Sequence, residues 1–223
     1  MRRPHPAPGA RVEPFGVDDR SLERGRKLLR KAKESKRPLE QRLMIAAAIT
    51  TVMASPPIVV GGTAEEFWAH DDYHPTDLDL IPRPSPADEN AFLELGLKRK
   101  GRFWIHPDLP VATEFPHDPS FEVRRTSDKR IAGVTVKLIG VDDLYLDRLQ
   151  QTTMTESTSD QHFASLLAVA AANWDQLDWK YIERRIRETR ERKPALGESM
   201  QRMNTACRRV ARKQLSQVLL ERL

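Results

Sequence analysis

Apolar residues fall into three patterns along the chain. Over 39–54, Leu39, Leu43, Ala46, Ile49 and Met53 recur at helical spacing, and Ile45 and Val52 widen the stripe. That spacing predicts an amphipathic helix after Pro38. The preceding segment, 19–35, predicts a short basic helix anchored only by Leu22, Leu28 and Leu29. From 57 onward the apolar runs shorten. Ile58-Val59-Val60 reads as one strand and Thr76-Asp77-Leu78-Asp79-Leu80-Ile81 as another. A helix over 87–96, closed by Gly96, leads into strand-like runs over 102–106, 111–115, 121–125 and 131–138, with proline and Asp/Ser punctuation between them. Beyond Val141 the pattern is helical throughout. Val141, Leu144, Tyr145 and Leu149 line one side of 141–151, and 163–174 is nearly apolar all round, as in a central helix. Basic helices are predicted over 178–192 and 198–222, separated by Pro194 and Gly197.

This succession predicts an α/β (α+β) fold, a small mixed sheet flanked by helices with a helical C-terminal part. Residues 1–18, with four prolines, read as a flexible arm. An α/β domain is expected over 19–140 and a helical region over 141–223. At 223 residues there is room for one such domain and a helical appendage. A single cysteine, Cys207, excludes an internal disulfide framework and a multi-cysteine zinc site. It sits among arginines, a setting that could lower a thiol's pKa. No apolar run approaches the roughly 20 residues of a membrane span. Arg2 and Arg3 are followed by no apolar segment, so a cytoplasmic protein is expected.

The net charge of +5 hides an asymmetry. Residues 1–40 carry 12 Lys/Arg against 6 Asp/Glu, residues 41–179 carry 12 against 21, and residues 180–223 carry 13 against 5. Basic flanks around an acidic middle fit contact with RNA or another polyanion near a metal-dependent centre. They equally fit solvated helix faces, or docking onto the acidic middle of the same fold.

The candidate chemistry lies in PIVVGGTAEEFWAHDDYHPTDLDLIP, residues 57–82. In a strand Asp77 and Asp79 share a face, with Leu78 and Leu80 on the other. Two like charges side by side call for a cation between them, and a divalent metal is the usual answer. The turn Gly61-Gly62-Thr63 presents backbone N–H groups at a helix start, where phosphate can bind. Other readings fail on detail. Asp72 and the Asp pair lack the glycine and terminal glutamate of an EF-hand, and there is no P-loop and no His-Glu-x-x-His. His70 and His74 could share a helical face, but Pro75 adjoins them and a solvated pair is the simpler reading. Trp68, Trp104, Trp174 and Trp179 read as packing residues.

Gly-Gly after an apolar strand, followed a helix-length later by Asp-x-Asp between hydrophobics, resembles the signature of the polymerase-β-like nucleotidyltransferase superfamily. The resemblance implies a third carboxylate from a later strand. Glu114, in Pro110-Val111-Ala112-Thr113-Glu114-Phe115-Pro116, is the best match, and Glu122 is the alternative. The run from Lys137 to Leu144, with Leu146-Asp147-Arg148-Leu149 and Ser159-Asp160-Gln161, looks like the downstream half of the AbiEii-like toxin nucleotidyltransferases and their relatives of uncharacterised function. Carried over, Lys137 and Arg148 are phosphate contacts and Asp160 a pocket carboxylate. The plainer alternative is an Asp147/Arg148 surface pair, with Asp160 as a helix N-cap. The resemblance implies Mg²⁺ (or Mn²⁺) held by Asp77, Asp79 and Glu114. It also implies an NTP substrate held by Gly61, Gly62 and Thr63, and transfer of NMP to an acceptor. Basic ends favour RNA such as a tRNA 3′ end, and the resemblance favours a toxin with a cognate antitoxin protein. The rival readings are a non-catalytic antitoxin or nucleic-acid-binding module, and an enzyme modifying a protein or small molecule.

Overall fold

A computed structural model describes residues 17–69, 75–116 and 121–220, with side chains to 217. Leu22, Leu28 and Leu29, the anchors of the first basic helix, are all buried because α1 (Asp19–Glu34) lies along α2 (Pro38–Thr50). Asp18 caps α1, accepting from the Ser21 amide at 2.9 Å. The strands that follow are β1 (Ile58–Val60), β2 (Asp77–Ile81), β3 (Lys98–Lys100), β4 (Phe103–Ile105), β5 (Ala112–Glu114), β6 (Thr126–Ile131) and β7 (Val134–Ile139). They form one mixed sheet in the order β3-β4-β5-β2-β1-β7-β6. β1 is antiparallel to β2 and parallel to β7, while β5 is parallel to β2. The fold is therefore the expected α/β arrangement, with α3 (Gly61–Ala69) and α4 (Pro86–Glu94) inserted between strands.

Helices α5 (Val141–Thr152), α6 (Gln161–Ala172), α7 (Trp179–Arg192) and α8 (Pro194–Leu220) complete the chain. One buried apolar cluster runs through both regions, from Leu22 to Ala211. Leu78, Leu80 and Val59 are fully buried within it, and α2 packs against β2 and β7. Among the described residues no helix is long and apolar enough to cross a membrane.

Four local expectations are corrected. The run 121–125 is not a strand, although Phe121 and Val123 alternate with polar residues as a strand would. The amides of Arg124 and Arg125 donate instead to the Asp143 carboxylate, at 2.5 and 2.7 Å. The run 131–138 contains a turn at Ala132-Gly133, both at positive φ (46° and 87°), so a hairpin of β6 and β7 replaces one strand. The helix over 163–174 is not apolar-buried all round. Phe163, Leu166, Val169 and Ala170 are buried, but Ala164 and Ala172 are exposed. Finally, α8 starts at Pro194 and runs through Gly197. Proline is tolerated in a first helical turn. Gly197 is needed because a Cβ there would lie 2.3 Å from the Arg190 Cα. The four tryptophans pack as expected: Trp104 is buried edge-on against Phe92, Trp68 donates to the Ile139 carbonyl at 2.9 Å, and Trp174 meets Trp179 at 4.7 Å.

Candidate active site

β2 alternates as its sequence dictates: Leu78 and Leu80 are buried on one face, and Asp77 and Asp79 are half-exposed on the other. β5 runs parallel beside it in a register that sets Asp79 opposite Glu114. Facing residues of neighbouring strands share a face, so Glu114 joins the aspartates. One carboxylate oxygen from each of the three lies within 4.8 Å of the others. Glu122, the alternative third acid, is elsewhere. It pairs with Arg124 at 2.8 Å, and those hydrogen bonds hold its carboxyl below the usual range.

The first β1–β2 turn closes the other side. Val60 pairs with Asp79, and the chain then turns at Gly61 with φ 64°. A Cβ at Gly61 would stand 2.1 Å from Asp79 Oδ2. Glycine is thus required here by the carboxylate pressed against its Cα, in addition to the left-handed φ. Gly61→Ala is expected to destabilise the fold by about 1–3 kcal/mol and to displace Asp79 from its partners. Urea denaturation checks it, and an unchanged midpoint would contradict the close approach. Thr63 is buried, and its hydroxyl donates to the Asp77 carbonyl at 3.0 Å. That hydroxyl fastens α3 to β2, which leaves backbone N–H groups as the turn's free donors. A buried Arg42–Glu66 ion pair, with Arg42 Nη1 donating to the Pro75 carbonyl at 2.7 Å, also ties this helix–strand junction to α2.

Like charges and burial act on the cluster. Burial, followed by the charges of Asp77 and Glu114, pushes the Asp79 carboxyl up to about 7. Arg148 opposes the shift, and Arg102 reaches Glu114 at 3.3 Å from an exposed position. An all-oxygen, anionic donor set with a destabilised carboxylate at its centre fits a hard divalent cation such as Mg²⁺ or Mn²⁺.

Asp79 and Glu114 open into a cleft of about 240 Å³ that also takes in Asp147 and Gln151 from α5. Val60, Ile81, Phe121 and Ile139 supply its apolar side. Asp147 and Arg148 are not a surface pair. Burial raises the Asp147 carboxyl above its ordinary range, and Gln151 Nε2 donates to it at 3.1 Å. Arg148 is buried, with Nε 3.1 Å from Glu65 and Nη1 donating to Gln151 Oε1 at 2.8 Å. Its Nη2 and the Ser165 hydroxyl are buried without a hydrogen-bond partner among the described residues. Both residues line a second cleft, about 400 Å³, which shares Gln151 with the first. Asp147 and Gln151 were missed in the sequence. The signal was there, since they lie three and seven positions after Leu144 and so fall on its buried face.

Two expected pocket residues are not brought to the acids. Lys137 faces Ile58 in the sheet, on the acid-bearing side, but it is two strands from β2 and outside the cleft lining. Asp160 is the N-cap of α6, accepting from the Phe163 amide at 2.9 Å. Cys207 is buried, and burial pushes its thiol up to about 11, the reverse of the shift its arginine-rich neighbourhood suggests. His70, His74 and Asp72 lie outside the described residues. No family model matches the chain, and no curated protein and no solved structure matches it either.

Proposed function

We propose that the chain is a metal-dependent nucleotidyltransferase that moves NMP from an NTP to an acceptor. The observation that carries this reading is the convergence of Asp77, Asp79 and Glu114 beside a Gly-Gly turn. It agrees with the resemblance to the polymerase-β-like superfamily. Asp77, Asp79 and Glu114 hold Mg²⁺ or Mn²⁺, which when bound neutralises phosphate charge and lowers the pKa of an acceptor hydroxyl. The backbone N–H groups of Gly61, Gly62 and Thr63 and the unpartnered Nη2 of Arg148 bind the triphosphate. The acceptor hydroxyl gives up its proton to bulk solvent, its oxygen bonds to the α-phosphorus, and the bond from the α-phosphorus to the bridging oxygen breaks so that pyrophosphate leaves. Val60, Ile81, Phe121 and Ile139 keep water from the reacting centre. Asp147 and Gln151 line the same cleft from α5. Lys137 and Asp160 take no part in this reading.

The acceptor we favour is RNA, such as a tRNA 3′ end, with the protein acting in the cytoplasm as a toxin restrained by an antitoxin partner. Incubation of the purified protein with each labelled NTP, Mg²⁺ or Mn²⁺ and total RNA tests the reading. Label should appear in RNA. Label in protein alone would move the acceptor to protein, and no transfer with any NTP would overturn the enzyme assignment.

A further inference from the structure

The middle of the chain is acidic as a whole, but it contains one concentrated basic block. Lys98-Arg99-Lys100-Gly101-Arg102 forms the edge strand β3 and its turn into β4, and all five residues are exposed. Its position matters more than its charge. Lys100 faces Phe103, Phe103 faces Glu114, and Glu114 faces Asp79. One row on one face of the sheet therefore runs from an exposed lysine, across a half-exposed phenylalanine, to the acids. A parallel row joins Lys98 through Ile105 and Ala112 to Asp77. At about 5 Å per strand, Lys100 stands two strands, or about 10 Å, from Glu114. At the end of the sheet, Arg83, Arg99 and Arg102 line a groove of about 650 Å³, and Glu114 and Pro116 belong to both this groove and the acid cleft.

The block is only partly neutralised among the described residues. Arg83, Lys98 and Lys100 make no ion pair with a described residue. Arg99 meets Glu89 at 3.2 Å, and Arg102 meets Glu114 at 3.3 Å while 72% exposed. Exposed pairs of this kind contribute little and exchange readily. A cation on Glu114 competes with Arg102 for the same carboxylate, and that releases the guanidinium beside the reacting centre. Arg102 also lies 4.8 Å over the Phe103 ring. Cations spaced around an accessible aromatic ring match a single nucleic-acid strand, which offers one phosphate per base and a π-face on every base. An acidic protein segment would use the cations but gain nothing from the ring.

We infer that the β3–β4 hairpin is the acceptor track of the proposed transferase: a single-stranded RNA lies across it with a base on Phe103 and its 3′ end at Glu114. The inference rests on the transferase reading, and the experiment separates the two. A fluorescent single-stranded RNA with a free 3′ hydroxyl is titrated with the full chain over a range of KCl concentrations, and transfer to the same RNA is measured in parallel. Lys98→Ala/Lys100→Ala/Arg102→Ala is expected to weaken binding by at least about tenfold and to flatten the salt dependence by about two to three. The triple variant should leave the melting temperature unchanged and should not weaken the affinity for Mg²⁺-NTP, because losing Arg102 only removes a competitor for Glu114. Phe103→Leu, which keeps the packing, should weaken binding about fivefold without altering the salt dependence. Lys180→Ala/Arg187→Ala/Arg190→Ala removes the same charge from α7 and should bind RNA like the wild type.

Equal losses in the two triple variants would overturn the track, as would full RNA affinity in the hairpin variant. Polyglutamate of matched charge displacing the RNA as well as unlabelled RNA does would overturn the assignment to nucleic acid. Wild-type transfer with unchanged binding and transfer in the hairpin variant would overturn this inference alone. Hairpin-dependent binding without any transfer would keep the RNA surface but overturn the transferase reading, and with it the track's role as an acceptor site.

Discussion

Asp79→Asn is expected to lower the proposed nucleotide transfer by about 10³-fold or more and at the same time to stabilise the cation-free fold. Both effects have one origin. Asp79 is the middle member of the cluster, in register with Glu114 on one side and pressed against Gly61 on the other. In the proposed reading its carboxylate completes the cation site, and without a cation it is a partly buried charge beside two others. Its carboxyl is pushed from the ordinary 3.8 up to about 7, by burial first and then by Asp77 and Glu114. Between those values the folded chain holds a proton that the unfolded chain has released, so stability falls as pH rises through this window. The penalty is bounded at about 4 kcal/mol. Asparagine has the same shape and no charge, so the variant should gain stability near pH 8, lose most of that advantage near pH 5, and lose the rest near pH 3, where Asp79 is protonated in both folded and unfolded chains. Mg²⁺ should stabilise the wild type near pH 8 and leave the variant unaffected. Urea midpoints at these pH values, with and without Mg²⁺, decide the matter. A variant less stable than the wild type near pH 8 without cation would refute the like-charge account. Asp77→Asn should match the loss of transfer.

The double role of Asp79 explains what could and could not be read from the chain. The aspartates were legible because strand alternation is local, so Leu78 and Leu80 assign the faces without knowledge of any partner. Glu114 was reached through the resemblance, which implies a third carboxylate from a later strand, and its place in a short apolar run favoured it over Glu122. The reason for Gly61 was not legible. A glycine turn reads as a phosphate cradle, whereas the space it leaves is also occupied by an aspartate eighteen positions on. β3 and β6 were missed for a related reason. As edge strands they present Lys-Arg-Lys and Thr-Ser-Asp-Lys-Arg to solvent, and only pairing with β4 and β7 defines them. Arg148 and Asp147 look like surface charges in sequence because their burial depends on α3 and α6 packing against α5. The run 121–125 failed in the opposite direction. Its apolar alternation is real, but the partner for its backbone is a side chain from α5.

That side chain carries the largest expected loss of stability. Asp143 is fully buried and accepts from the amides of Arg124 and Arg125 and from the Tyr181 hydroxyl, at 2.5, 2.7 and 2.6 Å. Arg185 approaches the same carboxylate at 3.3 Å, donates to Tyr181 Oη at 2.7 Å and reaches the Glu122 carbonyl at 2.9 Å. These contacts fix the segment that presents Phe121 and Val123 to the acid cleft. Asp143→Ala strands a buried guanidinium and two backbone amides, and a loss of about 3–5 kcal/mol is expected. Most of that cost comes from the unpaired Arg185 charge rather than from the net strength of the pair. Asp143→Ala/Arg185→Met should therefore recover part of the stability that the single variant loses. The recovered part should not restore function, because the amides of residues 124 and 125 still lack their acceptor and the wall stays loose. Chemical denaturation of the two variants gives the energies, and hydrogen exchange at those two amides reports the wall. Equal stability of the single and double variants would show that the orphaned amides, not the stranded charge, set the cost.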